Sequence, residues 1–79
     1  MSTRKLSNVS LAQYRDFLFK IGCKYIRTSD GHEVWTKKEL TRPIIFQTHI
    51  EPIPEFILKN ALRALGISKT QFWEILEGK

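Results

Sequence analysis

An Asp30-Gly31 pair set between two short runs of strand-forming residues constrains this chain more than any other feature. Cys23 to Thr28 carries Tyr25 and Ile26, His32 to Thr36 carries Val34 and Trp35, and Ser29-Asp30-Gly31 separates them. β-branched and aromatic side chains favour the pleated strand, and Asp-Gly tolerates the positive φ angles of a tight hairpin turn. The two runs are expected to fold back as a hairpin, with His32 opening the second strand. Alternation groups His32, Val34 and Thr36 on one face and Glu33, Trp35 and Lys37 on the other. Each set holds an apolar residue, so spacing leaves open which face carries His32.

Helical periodicity brackets this hairpin. Ser10 is a good N-cap, Gln13 completes a capping box, and Tyr14, Phe17, Leu18 and Ile21 form one stripe that ends at Gly22. After a polar Lys37 to Arg42 loop, Ile44-Ile45-Phe46-Gln47-Thr48 reads as a third strand, apolar enough to be expected buried on both faces. Pro52 and Pro54 break regular structure, and Pro54 suits the first turn of a helix that carries Phe56, Ile57, Leu58, Ala61, Leu62 and Leu65 to Gly66. Ser68 and Gln71 cap a last helix with Phe72, Trp73, Ile75 and Leu76, expected to pack against the helix before it. The order αβββαα implies an α+β two-layer sandwich, a three-stranded antiparallel sheet with helices on one face. Double-stranded RNA-binding domains share this order. Residues 1–9 are expected to form a flexible basic arm and residues 10–79 the single domain.

A chain of 79 residues holds one small core. With a single cysteine, Cys23, it has no internal disulfide framework, which fits a reducing, cytoplasmic setting. No apolar run of roughly 18 residues and no signal-peptide pattern occurs, so neither membrane insertion nor secretion is expected. The formal net charge is +5, and all of the excess lies in residues 1–28, which hold six basic residues against Asp16 alone. A polyanion such as RNA is the partner this balance favours, although a solvated surface accounts for it equally well.

Few groups here can carry chemistry. His32 and His49 are far apart in sequence, Cys23 stands alone, and neither metal-ligand spacing nor a Gly-rich phosphate loop is present, so no metal and no cofactor are expected. Metal-independent acid–base work by histidine remains, and RNA cleavage is one reaction it could serve. That cleavage needs a base for the 2′-hydroxyl proton, an acid for the leaving 5′-oxygen and cations for the charged phosphorus centre. His32 suits one proton-transfer role, and His49 is either its partner or a substrate contact. Lys24, Arg27, Lys37, Lys38 and Arg42, near the hairpin in sequence, are candidates to hold the RNA backbone. A half-exposed hairpin histidine with no task is the plain alternative for His32, and a small buried residue is the expected role of Cys23.

Three stretches together resemble the HicA family of mRNA interferase toxins: Gly22-Cys23-Lys24-Tyr25-Ile26-Arg27-Thr28-Ser29-Asp30-Gly31-His32-Glu33-Val34-Trp35, then Ile44-Ile45-Phe46-Gln47-Thr48-His49, and Leu58 to Ser68 ending in Leu65-Gly66-Ile67-Ser68. The likeness runs from about Ser10 to Phe72. It implies a fold like that of double-stranded RNA-binding domains, endoribonuclease activity on mRNA, and a HicB-like antitoxin partner that covers the catalytic residue. The family's catalytic histidine falls on His32, and the histidine that ends its third-strand pattern falls on His49. The chain departs from the family at three places. Gly31 stands where Ser is usual, Gln47 where Pro is usual, and Phe56-Ile57 where Gly-Thr is usual. A non-catalytic RNA-binding module of the same topology is the alternative, as is a protein-interaction domain docking through Phe56, Ile57 and Trp73.

Overall fold

The computed structural model describes residues 5–78, in the order α1 (Leu11–Lys20), β1 (Lys24–Ser29), β2 (His32–Thr36), β3 (Ile44–Gln47), α2 (Glu55–Leu65) and α3 (Lys69–Glu77). This is the αβββαα arrangement of an α+β domain. The sheet is antiparallel with strand order β1-β2-β3, so β2 is its centre. The helix starts follow their local chemistry. Ser10 and Ser68 each accept a hydrogen bond from the amide three residues on, while the Gln13 and Gln71 side chains return to the capping backbones. The Glu51 carboxylate accepts from the Leu11 amide at 2.7 Å, placing negative charge at the positive end of α1.

One face of the sheet meets the helical layer. Glu33 and Trp35 of β2 and Ile44 and Phe46 of β3 are buried, whereas His32 and Ile45 on the opposite face are exposed. The expectation that β3 is buried on both faces is therefore corrected: with helices on one side only, Ile45 stays 51% exposed. Tyr14 meets Phe46 edge-on at 4.7 Å between ring centroids, and Phe17 meets Phe72 at 4.6 Å. The latter contact docks α3 on α1, not on α2 as the apolar pattern implied. Lys20 reinforces it by donating to the Leu76 carbonyl at the end of α3.

The core also begins earlier than the helical pattern. Leu6 and Val9 are fully buried, and the Val9 carbonyl accepts from the Ile53 amide at 2.9 Å. Two apolar residues three positions from one another thus anchor the segment before α1, and Val9 ties it to the loop before α2. Residues 1–4 of the expected arm, with Arg4, lie outside the described residues. In α2, Leu58, Ala61 and Leu62 face the core, but Phe56 lies two residues before Leu58, about 200° around the helix, and is 64% exposed.

The buried carboxylate of Glu33 has a full set of partners. Arg15 of α1 grips both oxygens, Nε at 3.0 and 3.1 Å and Nη2 at 2.8 Å, and the Trp35 indole N–H donates at 2.7 Å. The hydrogen bond to Glu33 pushes the Arg15 guanidinium further into its charged form. Arg15→Ala leaves this carboxylate buried with only the indole. It is expected to cost about 2–3 kcal/mol in urea unfolding, more than Glu33→Gln, whose amide oxygen still accepts from Trp35. An Arg15→Ala variant that unfolds at the wild-type midpoint would show that the pair does not carry the contact. The Tyr14 hydroxyl is buried with no hydrogen-bond partner among the described residues, and burial raises its pKa far above the usual phenol value. Tyr14→Phe is accordingly expected to leave stability unchanged or raise it by up to about 1 kcal/mol, and a clear loss would reveal a bound partner for that hydroxyl.

Candidate functional site

The hairpin turn places His32. Asp30 and Gly31 have φ of 51° and 76°, the positive pair of a type I′ turn, whose twist matches that of the strands it joins. Ser29 then pairs with His32, and His32 pairs across its other side with Gln47. The imidazole thus stands on the open face, at the end of the central strand. Its Nδ1 lies 3.1 Å from the Asp30 carbonyl oxygen. A carbonyl only accepts, so this contact holds the proton on Nδ1, and the neutral ring keeps its lone pair on Nε2.

His49 arrives at the same turn from β3. The Gly31 carbonyl accepts from the Thr48 amide at 2.8 Å and from its hydroxyl at 3.2 Å, which stitches the turn to the residues after β3. The His49 ring lies over Gly31: a Cβ there would stand 3.2 Å from Nδ1 and 3.4 Å from Cε1. Two histidines separated by sixteen residues of sequence are therefore gathered around one Asp-Gly turn. A side chain at position 31 would have neither a favourable φ nor the space here.

The five candidate cations divide. Arg27 of β1 pairs with Val34, two residues along from His32, which puts it diagonally across the same face at about 7–8 Å between Cα atoms. A bulge makes Ile26 and Arg27 share that single Val34 position. Lys24 pairs with Thr36 at the far end of β2. Lys37 and Lys38 lie beyond that end, roughly 17 Å along the strand from His32. Lys37 is engaged by Glu39, and Arg42 borders a separate depression with Asn60 and Ala64. Of the five, Arg27 alone lies within two strand positions of His32 on that face.

A groove of about 490 Å³ opens beside His32, between β3 and the start of α2. Its walls are apolar, Ile45, Ile50 and Phe56 among them, and Gln47 contributes an amide next to the imidazole. Sequence reasoning placed Phe56 in the apolar run of α2 or, alternatively, on a protein-docking surface, and assigned Gln47 no task. The available signal was angular: Phe56 is out of phase with Leu58, Ala61 and Leu62. Cys23 is buried, and that burial pushes its thiol up, away from the reactive thiolate. Among the described residues, no three His, Cys, Asp or Glu side chains gather as a metal ligand set, and no helix is long and apolar enough to cross a membrane. No protein-family model, curated protein or solved structure matches the chain.

Gly31→Ser forces a side chain into a left-handed backbone position and against the His49 ring. It is expected to destabilise the domain by about 1–2 kcal/mol and to shift the His49 ring resonances in NMR spectra. An unchanged unfolding midpoint with unmoved His49 signals would contradict that packing.

Proposed function

We propose that this chain is a HicA-like endoribonuclease that cleaves mRNA in the cytoplasm without a metal ion, and that a HicB-like antitoxin is its protein partner. One observation carries the reading: His32 stands on the open face of the central strand with Nδ1 on the Asp30 carbonyl and Nε2 free for a substrate proton. In the proposed step Nε2 removes the proton of a 2′-hydroxyl, and the 2′-oxygen attacks the adjacent phosphorus. The bond to the 5′-oxygen breaks, and that oxygen leaves with a proton from an acid. The products are a 2′,3′-cyclic phosphate and a 5′-hydroxyl. His49, against the same turn, serves as that acid or as a substrate contact, and Arg27 offsets charge on the phosphate. Lys24, Lys37, Lys38 and Arg42, at the other end of the sheet, are then contacts for RNA flanking the cleavage point.

Induction of the wild-type chain in bacteria is expected to arrest growth and degrade mRNA. His32→Ala is expected to be harmless while folded, with cleavage in vitro reduced by about 10²–10⁴-fold. His49→Ala is expected to lower kcat if it supplies the acid, and to raise KM alone if it only contacts substrate. Full toxicity of His32→Ala would remove the assignment of that residue. A harmless but soluble wild type that binds RNA would leave the non-catalytic module.

A further inference from the structure

The groove beside His32 is open to water although its lining is apolar. Phe56 is 64% exposed, Ile45 51% and Ile50 37%, and all three face one concavity that His32 also borders. The core-facing stripe of α2 accounts for Leu58, Ala61 and Leu62, so Phe56 contributes nothing to folding that a polar residue would not. A volume of about 490 Å³ falls within the range that accommodates a single small planar group. Gln47 adds a side-chain amide without a hydrogen-bond partner among the described residues, on the strand position paired with His32.

We propose that this groove is a base-binding subsite: it takes one unstacked nucleobase of single-stranded RNA, stacked on Phe56, with its edge read by the Gln47 amide. The proposal rests on the RNA-cleavage reading above and names the substrate class. In-line attack of a 2′-oxygen on the neighbouring phosphorus requires the nucleotide to leave the A-form geometry of a duplex, and a base freed from its stack needs a new apolar surface. An exposed aromatic ring beside the proton-transfer residue supplies one, and base–aromatic stacking is tolerant of base identity. Charge agrees with this occupant, because Arg27 lies on the same face of a chain with net charge +5.

The test uses the full chain carrying His32→Ala, so that RNA binds without being cut, titrated with a labelled mixed-sequence oligoribonucleotide, single-stranded or annealed to its complement. Phe56→Leu, which keeps apolar bulk and removes the ring, is expected to weaken single-strand binding by about tenfold and to leave duplex binding unchanged. Phe56→Trp is expected to bind single strands at least as tightly as the parent, and Gln47→Leu to change the ranking among homopolymers. Unaltered single-strand affinity in Phe56→Leu overturns the subsite, while cleavage by the wild type keeps the nuclease reading standing. Equal losses for duplex and single strand also overturn it. If Phe56→Leu binds RNA as before and instead abolishes self-association, the groove is a protein contact and the proposal fails. A wild type that neither binds nor cleaves RNA removes both readings together.

Discussion

The buried carboxylate of Glu33 sets the face on which everything else stands. Side chains alternate along a strand, so once Glu33 and Trp35 point into the helical layer, His32 and Val34 must point out of it. A slip of one residue would place an imidazole in the core and a carboxylate in water. The arrangement persists because Arg15 reaches from α1 to both oxygens and Trp35 supplies a third donor, so the group enters the core fully paired. The same contact joins the first helix to the central strand. Fold and site orientation thus share a single interaction.

From that placement the site assembles through short backbone contacts. The type I′ turn delivers His32, the Gly31 carbonyl draws in Thr48, and His49 follows over the turn. Support also comes from outside the sheet, because the loop before α2 is held by Val9 and Glu51 against the start of α1. The groove is therefore backed by Ile53 and Ile57, which belong to the packed core, while Ile50 and Phe56 line it on the solvent side. No mobile loop is required to bring the proposed reactive groups together.

Much of the fold was legible in the chain because local chemistry and global packing agree there. The capping boxes at Ser10 and Ser68, the Asp30-Gly31 turn and the stops at Gly22 and Gly66 each announce an element boundary within a residue or so of the observed one. The face of β2 was not legible. Hydrophobicity ranks Glu33 as a surface residue, and only a partner eighteen residues earlier makes its burial tolerable. Likewise Ile45 reads as core by composition, but a sheet covered on one side leaves half its positions in water. Leu6 and Val9 form no helical or strand pattern and were hidden for that reason. At the site, His32 and Arg27 were readable from the hairpin, since register follows from a two-residue turn. His49 was offered as a partner of His32 or a substrate contact without a geometry, and Gln47 was given no place beside it, because both positions depend on how β3 returns after a loop.

The bulge at Ile26 bears on how this protein behaves among its own copies. Every residue of β1 is exposed, and such an edge strand offers unpaired backbone groups to any extended chain nearby. The extra residue twists that edge out of register, and Lys24 and Arg27 place two positive charges along it. A second copy approaching strand to strand meets both a broken ladder and its own repelling cations. Pairing of a second copy at β1 is therefore disfavoured by geometry and charge together.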